Sequence, residues 1–155
     1  MNQFLVEIES EVDVDEQLAS QIMSAAVATL IHEGINEPVE LTILLTGDER
    51  IRELNRQYSG EDKVTDVLSF PAGDSMPGAE SYIGDIVISV PTAVLQALTA
   101  RHPISDEMSL LTIHAILHLL GHDHADADGE RVMWSRQNKI LAKLGISPME
   151  ESRQS

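Results

Sequence analysis

Segments with the two-residue alternation of a strand and segments with the 3.6-residue period of a helix are intermixed along this chain, and that order leaves few architectures open. FLVEI at 4–8, VELTILL at 39–45, VLSF at 67–70 (cut by Pro71) and GDIVISV at 84–90 predict strands. Residues 15–33 carry Leu18, Ile22, Ala25, Ala26 and Leu30 at helical spacing, and Gly34 follows as a stop. DERIRELNRQY at 48–58 predicts a helix opened by Asp48, and Pro91 suits the start of another, TAVLQALTAR. Residues 72–82, small and glycine-bearing, read as a loop. A strongly apolar helix is predicted over 105–120, opened by Ser105 or Asp106 with Gly121 just beyond its end, and an amphipathic helix over 129–145. With at least one long crossover, the expectation is one α+β domain over 1–147, holding a four-stranded mixed sheet and about five helices. A frayed tail, 148–155, completes the chain. The length of 155 residues suits one domain.

Composition narrows the function. There is no cysteine, hence no disulfide framework, thiolate nucleophile or thiolate metal site. The first residues lack the basic and apolar regions of a signal peptide, and no apolar run approaches the ~18 residues of a membrane span, so a cytoplasmic chain with no membrane partner is expected. Twenty-six acids against ten bases give a net charge of −16, and the first base is Arg50. Such a balance opposes tight, unaided binding to nucleic acid, because phosphates attract Lys and Arg. Aromatic residues are too sparse for a base-stacking platform.

Four of the six histidines fall within His114-Ala-Ile-Leu-His118-Leu-Leu-Gly121-His122-Asp123-His124. His114 and His118, four apart, share one helix face, so two imidazoles can grip one ion. Gly121 accepts positive φ, ends the helix and can turn His124 toward the same ion. Three imidazoles suit Zn²⁺, one per chain, though Ni²⁺, Cu²⁺ or Co²⁺ also fit. They leave a fourth position for water, the mark of a catalytic site. Asp123 is placed either to orient a ligand histidine or to cap a turn. Asp126, Asp128 and Gly129 resemble the start of a calcium loop, but Ser135 stands where its closing Glu belongs. The His-x₃-His-x₂-Gly-x₂-His spacing is that of the metzincin peptidases, whose general base directly follows the first histidine as Glu. Here that residue is Ala115, which cannot take a proton.

With those residues goes a wider likeness. The His114–His124 motif, Leu54-Asn55, Thr65-Asp66-Val67-Leu68-Ser69-Phe70-Pro71, Gly84-Asp85-Ile86-Val87-Ile88-Ser89 and Met133…Gln137…Ile140-Leu141 occur in one order over about residues 40–141. In all of them the chain resembles the YbeY family, bacterial endoribonucleases of ribosomal RNA maturation. The resemblance implies a zincin-like metal helix, metal-assisted cleavage of an RNA phosphodiester in 16S rRNA processing and small-subunit quality control, and partners in ribosomal RNA, the small ribosomal subunit and assembly proteins. His114, His118 and His124 are then the metal ligands. Asp66, Ser69 and Asp85 lie in family blocks at strand ends near the expected cleft, with Asp66 and Asp85 the candidate catalytic groups and turn capping the alternative. The family's usual Gly after the first histidine is Ala115, its arginine is Ser59 and its lysine is Glu61. The nearby Arg56 and Lys63 are the candidate phosphate-binding cations. Arg136, Lys139 and Lys143 share a face of the last helix, as a solvated face or a contact for RNA. The rival readings are a metal-binding ribosome-assembly factor with weak or no catalysis and, against Ala115, a metal-dependent peptidase.

Overall fold

A computed structural model describes residues 4–73, 81–122 and 126–149. In chain order it holds β1 (Phe4–Ser10), α1 (Glu16–His32), β2 (Val39–Thr46), α2 (Asp48–Ser59), β3 (Val67–Pro71), β4 (Tyr82–Ser89), α3 (Val90–Ala100), α4 (Ile104–Leu119) and α5 (Ala127–Lys143). The four strands form one sheet in the order β1-β2-β4-β3. β1, β2 and β4 run parallel, and β3 pairs antiparallel with β4 at the edge. The parallel pairs require crossovers, which α1 supplies between β1 and β2.

Alternation along the strands decides which face is covered. Leu41, Ile43 and Leu45 of β2 stand beside Gly84, Ile86 and Ile88 of β4. That face packs on α1 and α4 through Ile22, Ala26, Leu30, Met108, Leu111, Ala115 and Ile116. A second cluster fills the far side of α4: Leu110, Ile113 and Leu117 meet Ala25 of α1 and Met133, Ile140 and Leu141 of α5. Helix α4 is apolar nearly all round because two layers cover it.

Element ends depart from the sequence expectations in instructive ways. α2 is opened by Gly47, and Asp48 instead accepts hydrogen bonds from the hydroxyls of Ser89 and Thr92 (2.7 Å to Thr92), tying α2 to the end of β4. α4 begins one residue early, after Pro103, and Asp106 and Glu107 fall in its first turn, where negative charge suits the exposed N–H groups. Asn138 exchanges two hydrogen bonds with the Met149 backbone (3.0 and 3.3 Å), within the stretch expected to fray. Residues 150–155, the rest of that tail, lie outside the described residues. Among the described residues no helix is long and apolar enough to cross a membrane.

Candidate metal centre

The two clusters around α4 leave one strip of its surface unclaimed, and His114 and His118 lie on it, half-buried. Their rings meet edge to face with centroids 4.7 Å apart. Both donors are nitrogen, and their i, i+4 placement needs no special backbone. On α5, Gln137 is fully buried beside Met133, Ile140 and Leu141, and its Oε1 accepts a 2.6 Å hydrogen bond from His114 Nδ1. With the proton of that bond on Nδ1, the lone pair of the neutral ring lies on Nε2.

Beyond the histidines α4 ends as the sequence requires. Gly121 takes φ 100°. Its N–H donates to His118 O (3.0 Å), and His122 N–H donates to Leu117 O (3.0 Å). This paired closure satisfies carbonyls that the last turn would otherwise leave open. His122 turns away from the α4 strip and meets Glu33 at the end of α1, Nε2 to Oε1 2.7 Å. Arg136 of α5 donates to the other oxygen of Glu33 (2.8 Å). Burial pushes the Glu33 carboxyl up, but the bonds from His122 and Arg136 outweigh it and hold the group below its ordinary range. Asp126 caps α5 by accepting from Gly129 N–H (2.7 Å). His124 and Asp123 lie outside the described residues, and among those described no set of three or more metal-ligating side chains converges. The two imidazoles present suit zinc or a neighbouring transition metal in chemistry, spacing and access.

The other candidates divide by face. Asp66 is 2% exposed. Its Oδ1 accepts from Val67 N–H (2.7 Å), its Oδ2 accepts from Gln96 Nε2 (3.2 Å), and its backbone carbonyl accepts from Ser89 N–H (2.8 Å). It therefore locks the start of β3 to β4 and α3. Burial pushes its carboxyl up to about 6, against the opposing effect of the backbone bonds. Asp85, expected at a strand end near the cleft, sits mid-strand between Thr42 and Phe70 and is exposed. It alternates with Gly84 and Ile86, so its carboxylate leaves the sheet on the face away from α4, where it meets the Tyr82 hydroxyl. Ser69 stands opposite Ile86 and so lies on the α4 face of the edge strand.

Close packing joins that edge strand to the histidine helix. A Cβ built on Gly84 (φ 151°) would meet Phe70 O at 2.5 Å and Leu119 Cδ2 at 2.7 Å. Only glycine lets β3, β4 and the end of α4 approach this closely. At the same end of β3, the Tyr58 ring meets Phe70 edge to face at 5.2 Å, placing the last turn of α2 beside the strand.

Ser59 is exposed in that last turn, and Gly60 follows in the left-handed conformation. Asn55 Nδ2 donates to Lys63 O (3.1 Å), and Arg52 donates to both oxygens of Asp62 (2.8 and 3.3 Å), so the 60–65 loop is clipped to α2. Arg56 lines an open concavity of about 520 Å³ with Glu49, Arg50, Arg52, Glu53 and Asp62. Lys63 Nζ lies 3.2 Å from Glu61. The α5 cations expected on one solvated face are partly engaged: Arg136 with Glu33, and Lys143 Nζ with His32 Nδ1 (2.9 Å). Ala115 is packed in the core, with no carboxylate at that place in the helix.

Sequence reasoning gave no role to Gln137 or Glu33. A buried amide inside an apolar helix pattern was the available signal for Gln137. Nothing local marks Glu33, whose partners come from two distant segments.

Comparison with known proteins bears on all of this. Residues 5–145 match the family model described as endoribonuclease YbeY. The chain is 41% identical over 145 residues to an endoribonuclease YbeY of Desulforamulus reducens, covering 90% of this chain and 95% of that one. It is 40% identical over 146 residues to one from Moorella thermoacetica (89% and 94% covered). A third, from Clavibacter sepedonicus, is 40% identical over 151 residues (94% and 95%). The fold is similar to the solution structure of a Thermotoga maritima protein, with TM-score 0.63, 23% identity, and 97% and 100% of the two chains covered.

Proposed function

The chain belongs to the endoribonuclease YbeY family, and from that membership we propose that it cuts ribosomal RNA with a metal ion held by His114, His118 and His124. Family membership makes it an endoribonuclease; the metal ion and its ligands are inferred. The pairing of His114 and His118 at 4.7 Å on a helix strip that the core leaves open carries that reading. Zinc is the metal proposed, and when bound it supplies Lewis acidity that polarises a phosphoryl oxygen and lowers the pKa of water beside it.

The chain's own residues do the rest. His114 and His118 bind through ring nitrogens, and Gly121, at φ 100°, ends the helix that carries them. The edge strand, pinned by Asp66 and Gly84, forms a wall beside α4 along which an extended RNA segment can lie, with Ser69 on its inner face. Asp66, buried and fully engaged in bonds that hold β3, serves position rather than proton transfer. Asp85, on the opposite face, is left with a structural role. Arg56 and Lys63 hold phosphates flanking the cut, at the outer end of α2 and the loop clipped to it.

A chain of net charge −16 gains little from RNA by charge alone. Because Arg136 and Lys143 are engaged within the protein, α5 offers RNA less than its sequence suggests. The acidic surface instead suits basic proteins of the small ribosomal subunit or its assembly factors, met in the cytoplasm.

One assay tests the reading: zinc-loaded protein with structured ribosomal RNA, beside a His114→Ala control. Cleavage by the first and not the second supports it. No cleavage, with capture of small-subunit proteins, favours an assembly factor without catalysis, a role that exposed Ser59 at the arginine position encourages. Hydrolysis of peptides instead would revive the peptidase.

A further inference from the structure

We infer that Gln137 is a positioning residue that sets which ring nitrogen of His114 faces the metal; this rests on the site proposed above and adds a member to it. Gln137 is fully buried in α5, and its helix neighbours Met133, Ile140 and Leu141 belong to an apolar cluster shared with α4 and α1. An amide is a poor choice for such a place. Its Nε2 has no hydrogen-bond partner among the described residues, and Leu or Met would fill the same space without stranding a donor. What the amide does provide is one acceptor, Oε1, 2.6 Å from His114 Nδ1.

An amide oxygen carries no hydrogen, so the proton of that bond belongs to His114 Nδ1. A neutral imidazole has one such proton, and its lone pair is then on Nε2. Metal-binding histidines commonly hold their second nitrogen against an acceptor in this way, which fixes both ring rotation and tautomer. Here the packing of α5 on α4 sets the Gln137 oxygen against Nδ1. Gln137 is thus retained in an apolar layer for the sake of the ring, not for the stability of the layer.

Two variants separate these roles. Gln137→Met keeps the volume and removes both polar atoms; Gln137→Glu keeps an acceptor and removes the donor. In full-length metal-free protein, ¹⁵N NMR of the His114 ring reads the tautomer directly. Wild type and Gln137→Glu should show the Nδ1–H form, and Gln137→Met should lose that preference. Zinc affinity, measured by competition with a chromophoric chelator, should fall ~10–100-fold in Gln137→Met and hold or tighten in Gln137→Glu. The melting temperature of metal-free Gln137→Met should not fall, since the layer gains an apolar residue.

An Nε2–H tautomer in wild type overturns the inference, as does wild-type zinc affinity in Gln137→Met. So does equal weakening in Gln137→Glu, which would mean the amide NH₂ faces the ring. If Gln137→Met fails to fold, the wild-type tautomer and Gln137→Glu still decide. Should wild type take up no zinc at all, the metal site proposed above fails, while the tautomer still reports whether Gln137 sets the ring.

Discussion

Glu33 and Arg136 are 103 residues apart in the chain and 2.8 Å apart in space. The same carboxylate meets His122 at 2.7 Å, so one side chain at the end of α1 ties down both the exit of α4 and the middle of α5. The Glu33 side chain is nearly buried, and removing its oxygens takes the acceptor from both His122 and Arg136. Glu33→Ala should cost about 1–3 kcal/mol of stability. In a chain of this size each kcal/mol lowers the melting temperature by ~2–4 °C. The pH dependence has a definite sign. Its bonds hold the folded carboxyl below its ordinary range, so the stabilisation is complete above that range and is lost as pH falls through the folded value. Thermal melts of both proteins from neutral to acid pH should therefore converge at the acid end; a constant gap would contradict the assignment.

Asp66 behaves in the opposite sense. Burial raises its folded pKa to about 6, above the ordinary 3.8, so the folded state holds this proton more tightly. Its contribution is full below the ordinary value and declines as pH rises through about 6. Asp66→Asn cannot ionise, keeps an acceptor for Val67 N–H, and can donate to Gln96, whose Oε1 is buried without a partner among the described residues. The variant should fold and should flatten the stability profile across that window. A profile identical to wild type would show that the carboxyl is ionised throughout.

Gly84→Ala should be among the most damaging small substitutions. The new methyl would press on the Phe70 carbonyl at 2.5 Å and on Leu119, at a φ of 151° that alanine resists. We expect a loss of about 2–4 kcal/mol. Because Leu119 follows His118, weaker zinc binding should accompany it. A variant as stable as wild type would mean that β3 and α4 are not in this contact.

Much of this was legible in the residues. Alternation marked β2, where Leu41, Thr42 and Ile43 differ in polarity because the two faces of a half-buried strand must, and β-branched residues marked β4. The histidine strip and its glycine stop could be read because both are local: four residues set one face and one glycine sets the turn. Asp85 could not be placed by that logic. Its face depends on the register of β4 against β2, which includes an irregularity at Glu40/Leu41 that no local pattern announces. The reach of Glu33 and the partner of Gln137 were hidden for the same reason, since tertiary packing alone makes those pairs.

Position 59 offers a gain-of-function test. Ser59 is exposed in the last turn of α2, where a cation also suits the helix end. Ser59→Arg should leave stability unchanged and raise affinity for ribosomal RNA several-fold at low salt, with a steeper salt dependence by about one phosphate contact. Binding that is unchanged would show that RNA does not pass this turn.

The histidine site itself is tested most directly by elemental analysis of protein purified without chelators. The account predicts about one zinc or similar transition metal per chain in the wild type, and almost none in His118→Ala that is still folded by circular dichroism. Full metal content in the His118→Ala protein, or an empty wild type after zinc loading, would contradict it.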